Sequence, residues 1–181
     1  MNFFPAALRA DMDRRLQKYQ DRPWSWKLSF YLGHPQYRTL LWYRLYEANQ
    51  GLLQRFCGTL YRRSAIRSGL EILTPRLGGG VIMPHWGRIV LNAGEIGENL
   101  YVFHNVTIGH DYRTGRPRLG NNVFLGTGAI LLGAISVGDN VIIGAGSLVN
   151  TDIPSNSLAV GNPAKVIRPI APDEIQRMIG Y

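Results

Sequence analysis

Residues 119–154 read LGNNVFLGTGAILLGAISVGDNVIIGAGSLVNTDIP, and Leu119, Leu125, Leu131, Val137, Ile143 and Val149 fall six apart without a slip. A strict six-residue aliphatic beat is the signature of a parallel β-helix. Each turn of such a coil takes three hexapeptides, about 18 residues, and the aliphatic residue of each points into a narrow triangular core. Successive turns hydrogen-bond as strands do in any sheet, about 4.8 Å apart. Gly often follows the aliphatic residue, and its tolerance of positive φ assigns it to the corners.

Reading backwards, Ile96, Val102 and Ile108 continue the beat, then Leu77, Met83 and Ile89. Ile89 to Ile96 is seven residues, which predicts a one-residue bulge. Ile108 to Leu119 is eleven, which predicts a loop of five extra residues within HDYRTGRPR. The expectation is a mainly-β fold of about four coils, beginning at Leu77, Ile96, Leu119 and Val137. After Pro154, SNSLAVGNPAKVIRPI reads as an extended tail that leaves the repeat, and PDEIQRMIGY as a short helix with acids in its first turn. The chain thus divides into a helical segment over 1–70, a coil over 71–154 and a tail over 155–181.

The N-terminal segment has a different grammar. Pro5 suits a first helical turn, and Leu8, Met12, Leu16 and Tyr19 then line one face. WSWKLSFYL follows, up to the break at Gly33-His34-Pro35. In QYRTLLWYRLYEANQG, Tyr37, Leu40, Leu41, Arg44, Leu45 and Ala48 recur at helical spacing, with Gly51 as a stop signal. A last helix is expected over 52–67. Cys57, the only cysteine, excludes intrachain disulfides, fits a reducing cytoplasm and reads as a buried structural thiol. Neither a membrane-spanning run nor a secretory signal is found.

Charge is uneven. Residues 1–70 hold 12 Lys/Arg against 4 Asp/Glu, whereas residues 71–181 hold 8 of each, so the whole net charge of +8 belongs to the helical segment. That suits an anionic surface such as a phospholipid headgroup layer or an acidic glycan, or plain solvation of exposed helices. No nucleic-acid-binding motif accompanies it. Trp24, Trp26, Trp42 and Tyr43 can rest against a membrane or fill a subunit core.

Aligning the coils sets Met83, Val102, Leu125 and Ile143 in one column, and two residues beyond each stand His85, His104, Thr127 and Ala145. These four should stack on one outer face, one strand spacing apart. One imidazole there can serve as a general base. With His110 close by, the pair can instead hold a metal such as zinc, or simply pack locally.

MPHWGRIVLN, VTIG, IGAGSLV and AVGNPAKVI, set on this coil, resemble the hexapeptide acyltransferases, in particular the serine O-acetyltransferases and their capsular or exopolysaccharide O-acetyltransferase relatives. The resemblance implies a left-handed coil, a homotrimer with active sites between neighbouring coils, and acetyl-CoA as donor, with no metal. It makes His85 of PHWG the general base. It carries coenzyme contacts onto Thr127, Ala145 and the tail motif at Gly161 and Lys165, with Arg168 beyond. Serine acetyltransferases place an aspartate before the base and a histidine before the proline of the loop; here those positions hold Pro84 and Arg116. His104 in FHNVTIG and the helical HPQYRTLLWYRL are similar to the polysaccharide-modifying enzymes.

The expected reaction is therefore acetyl transfer to a saccharide hydroxyl, with serine as the alternative acceptor. His85 removes the proton and His104 orients it or touches the acceptor. Trp86, Tyr112, Arg113 and Arg116 are the expected acceptor contacts, because aromatic faces suit sugar rings and guanidinium groups suit anions. Two other classes share this coil: a gamma-type zinc carbonic anhydrase, which needs a histidine five residues after His110 where this chain has Gly115, and a non-catalytic trimeric scaffold. The location expected is the cytoplasm, at or near the inner face of the membrane.

Overall fold

The structure, a computed structural model, describes residues 4–179; Met1–Phe3 and the expected helix's last residues, Gly180 and Tyr181, lie outside them. Four helices come first: α1 (Ala6–Arg15), α2 (Trp24–Gly33), α3 (Pro35–Ala48) and α4 (Gly51–Ser68). Three-walled coils follow, and α5 (Pro172–Ile179) ends the chain. Leu8, Met12 and Leu16 are buried as their spacing predicts, but Tyr19 is 44% exposed. The chain has left α1 by then and makes a short 3-10 turn over Gln17–Tyr19. Gly51 does not stop a helix. It opens α4, while α3 ends at Ala48.

The first wall holds Glu95–Ile96, Arg118–Leu119 and Ser136–Val137. The second holds Tyr101–Val102, Val123–Leu125, Val141–Ile143 and Ser157–Gly161 in parallel, with Ala164–Pro169 antiparallel at its edge. The third holds Leu70–Ile72, Ile89–Leu91, Val106–Gly109, Ile130–Leu132 and Leu148–Val149. The nine repeat positions from Leu119 to Val149 and from Ile96 to Ile108 are at most 4% exposed, and Leu77 on the outermost turn is 7% exposed. Burying such aliphatic side chains contributes roughly 1.5–3 kcal/mol each before entropy is counted.

The coil is longer at both ends than the beat predicts. Leu70–Ile72 already pairs with Ile89–Leu91 before Leu77 is reached. The segment after Pro154 does not leave the repeat: Ser157, Leu158 and Ala159 pair in register with Val141, Ile142 and Ile143. Only after Gly161 does the chain turn back along the same wall.

One register differs from the sequence reading. Ile89 pairs with Val106, so it is Leu91 that stacks on Ile108. The extra residues therefore lie between Met83 and Ile89, within PHWGR, and not between Ile89 and Ile96. The corner glycines also work differently from expectation. Gly78, Gly97, Gly120 and Gly138 lack positive φ. They are needed because the next rung passes too close: a Cβ on Gly97 would lie 2.6 Å from the Gly120 carbonyl oxygen. The positive φ at these turns is taken by Asn99, Asn122, Asn140 and Asn156, whose side-chain amides hydrogen-bond up the stack at 2.9–3.1 Å.

Helices and coil are joined by a buried ion pair. Arg44 Nε donates to Asp11 Oδ2 at 2.9 Å, and its other nitrogens donate to the carbonyls of Leu77 and Gly78. Asp11 Oδ1 also accepts the Val81 N–H at 2.8 Å. Burial pushes the Asp11 carboxyl up, and Arg44 pulls it back. Losing either partner would strand a buried charge at a cost of about 3–5 kcal/mol.

Candidate active site

The edge between the second and third walls carries the column. Ile82 pairs with Tyr101, Val102 with Leu125 and Ile143 with Leu125, so His85, His104, Thr127 and Ala145 stand at successive levels of one edge. Gly161 continues the column through the pairing of Ile143 with Ala159. Backbone bonds knit the levels together: Gly128 N–H donates to the His104 carbonyl at 3.1 Å, and Gly146 N–H to the Thr127 carbonyl at 2.8 Å.

The corners on this edge are of two kinds. Phe103–Asn105, Gly126–Gly128 and Gly144–Gly146 each cross it in three residues; Pro84–Arg88 takes five. The two additional residues swing the first corner outward, leaving His85 exposed and Trp86 68% exposed. Gly87 lets the swollen corner settle back, since a Cβ there would meet the His104 Cβ at 2.5 Å. The His85 and His104 rings meet edge to face, centroids 5.9 Å apart and planes 86° apart. Phe103 flanks His85 at 5.4 Å. His104 is half-buried, and its Nδ1 is buried with no hydrogen-bond partner among the described residues.

A corner this long needs support from beneath, and α3 supplies it. The Tyr37 hydroxyl donates to the Met83 carbonyl at 3.1 Å and accepts the Met83 N–H at 3.2 Å. Gln36 Nε2 donates to the His85 carbonyl at 3.3 Å. Both side chains are almost fully buried. The sequence gives no sign of this role, because their partners are backbone atoms some 46 and 49 residues away.

Below the histidines the edge is low. Gly128 and Gly146 have positive φ and open space on their outer side, and Ala145 is exposed. The second wall's hairpin, turning at the cis Asn162–Pro163 bond, sets Lys165 opposite Val160, exposed and next to Gly161. Arg168 lies further along the hairpin, and its guanidinium is engaged by both Glu174 oxygens, which holds that carboxyl below its ordinary range.

The predicted acceptor residues divide. Trp86 shares the His85 corner. Tyr112, Arg113 and Arg116 belong to the loop between Gly109 and Arg118, which joins the third wall to the first and so lies on another edge of the same chain. That loop is an ordered turn. Asp111 accepts from the Arg113 N–H at 2.9 Å and from the Thr114 hydroxyl at 3.2 Å, and the Ala134 N–H reaches Thr114 from the next rung. Tyr112 is 95% exposed, its ring 4.9 Å from His110. Among the described residues no group of three or more His, Cys, Asp or Glu converges as a metal ligand set.

The family model for bacterial transferase hexapeptide, six repeats, matches residues 116–151. Over 145 residues, 75% of this chain and 83% of the other, the sequence is 37% identical to a serine acetyltransferase of Helicobacter pylori. The chain belongs to the hexapeptide-repeat acyltransferases. Among solved structures it is similar to a serine acetyltransferase of Brucella abortus, with a TM-score of 0.72, 27% identity, and 91% of this chain and 69% of that one covered. It is also similar to the serine acetyltransferase of Neisseria gonorrhoeae in complex with serine, with a TM-score of 0.67, 28% identity and coverage of 90% and 68%. This hexapeptide-repeat acyltransferase is a left-handed β-helix and an acetyl-CoA-dependent O-acetyltransferase. A ledge of Thr127, Ala145 and the open glycines runs from the two histidines toward Lys165.

Proposed function

We propose that this acetyltransferase acetylates the hydroxyl of L-serine by direct transfer, with His85 as general base. Acetyl-CoA supplies the acetyl group as an activated thioester: the serine oxygen forms the new ester bond, the thioester C–S bond breaks, and CoA leaves as the thiol, taking up the proton from the His85 imidazolium. A hydroxyl is almost wholly protonated at neutral pH, and an imidazole placed to take its proton typically accelerates transfer about 10²–10⁴-fold. His85 is the exposed imidazole of the edge, held from behind by His104 and from beneath by Gln36 and Tyr37. Holding donor and acceptor together on one edge contributes further through proximity. A narrow-corner backbone N–H is suited to stabilising the developing oxyanion. The single observation that carries this reading is the register placing His85 and His104 on the same edge as Thr127 and Ala145. Serine as acceptor is supported by the relatives, which are serine acetyltransferases over most of this chain.

A second reading, transfer to a saccharide hydroxyl, is favoured by one feature of the residues. Pro84 and Arg116 stand where the family's serine enzymes carry an aspartate and a histidine, and the corner offers the face of Trp86. We further infer a homotrimer. Tyr112, Arg113 and Arg116 reach a base only if a neighbouring chain presents it, and Ile130 and Leu132 on the third wall are 38% and 39% exposed. The deciding experiment is thiol release from acetyl-CoA with L-serine, sugar nucleotides and oligosaccharides as separate acceptors. Rapid release with L-serine is the expected result. Release confined to a saccharide would overturn serine in favour of the second reading, with the donor and base unchanged.

A further inference from the structure

Helix α4 turns a largely apolar and basic face to solvent. Toward the rest of the chain it buries Cys57, Gly58 and Ser64 and packs Tyr61 against the core, and a Cβ on Gly58 would press on the Tyr46 ring at 3.0 Å. Four of its large apolar side chains point to solvent instead: Leu52 is 83% exposed, Leu53 54%, Phe56 59% and Ile66 85%. Arg55, Arg62, Arg63 and Arg67 are exposed on the same helix, which contains no acidic residue. A solvated helix face ordinarily carries mixed charge and few large aliphatics.

We propose that α4 docks on an anionic phospholipid surface, lying in the plane of the interface. Charge selects this occupant. The chain's whole net charge of +8 resides in residues 1–70, and α4 supplies four of its arginines without a carboxylate to offset them. The combination of guanidinium groups with Leu and Phe is what a headgroup layer accepts, since arginines reach phosphates while the apolar side chains enter the acyl boundary. Two α4 helices packed on each other are a poor occupant, because a two-fold contact would set arginines against arginines, and a contact of α4 with a different surface of a neighbouring copy is read out by the solution mass below. No described helix is long and apolar enough to cross a membrane. Of the aromatic residues expected at such a contact, Tyr43 is buried at 4% exposure and Trp26 and Trp42 are half-buried, whereas Trp24 is 47% exposed. This inference is independent of which acceptor is used.

The test is co-sedimentation of the full chain with vesicles of phosphatidylcholine alone or mixed with phosphatidylglycerol. Binding to the mixed vesicles only, weakened by added salt, is expected. Leu52→Ser combined with Phe56→Ser should reduce binding at least tenfold, with the melting transition, thiol release and solution mass unchanged. Arg62→Gln combined with Arg63→Gln should lower it by about fivefold per residue. Absence of binding to anionic vesicles, or a Leu52/Phe56 variant that binds like the parent, would overturn the proposal. So would a changed solution mass in that variant, which would make α4 a contact between copies.

Discussion

The corner at Pro84–Arg88 and the corners at Gly126–Gly128 and Gly144–Gly146 occupy the same edge, yet they solve opposite problems. The narrow ones keep rungs at sheet spacing. A Cβ on Gly126 would lie 2.6 Å from the Ala145 backbone nitrogen, and one on Gly144 would lie 2.7 Å from Val160. The wide one gives up that stacking. Its two added residues carry an imidazole and an indole out of the coil, and hydrogen bonds from Gln36 and Tyr37 stand in for the missing rung contacts. A repetitive coil thus carries an exposed imidazole by lengthening a single turn and propping it with a helix, while the unlengthened turns below remain low.

The largest effect expected from this contrast is at the wide corner itself. His85→Ala should lower steady-state thiol release by roughly 10²–10⁴-fold. Gly126→Ala tests the narrow kind. Forcing a methyl group against the next rung should destabilise the fold by about 1–3 kcal/mol, read by urea unfolding. Tyr37→Phe tests the prop. It leaves the Met83 N–H and carbonyl unpaired in a buried place, so a loss of about 1–3 kcal/mol is expected. If Tyr37 positions His85, kcat should fall while KM for acetyl-CoA stays put. The smallest effect concerns the tail. Glu174 has a carboxyl lowered chiefly by its hydrogen bond from Arg168, so the docking of α5 gains from this pair above the ordinary carboxylate range. That gain is lost as pH falls through the lowered folded value. The protection factors of the α5 amides, corrected for intrinsic exchange, should therefore fall selectively in acid, and Arg168→Gln should reduce that pH dependence.

Much of this edge was legible because a core residue every sixth position fixes register, and register fixes which outward residues stack. The wide corner was misplaced because Ile89 and Leu91 are both aliphatic and both buried, and Ile89 lies at the expected spacing from Met83. Periodicity cannot choose between them; only pairing with Val106 does. The last rung escaped notice because its core position is Ala159, too small to sound the beat. The loop side chains were expected at the acceptor for their aromatic and guanidinium chemistry, and within one chain the prism sets Tyr112, Arg113 and Arg116 on a different edge from His85. The support from α3 was illegible in principle, since a hydroxyl and an amide bonding to remote backbone leave no pattern in the chain.

The central claim is a division of labour along one edge, base at the wide corner and donor at the narrow ones. Calorimetric titration of CoA into His85→Ala, alongside thiol release by the same preparation, tests it most directly. The account predicts an affinity for CoA within about twofold of the parent together with turnover lower by two or more decades. Near-normal turnover, or a loss of CoA affinity in step with turnover, would contradict it.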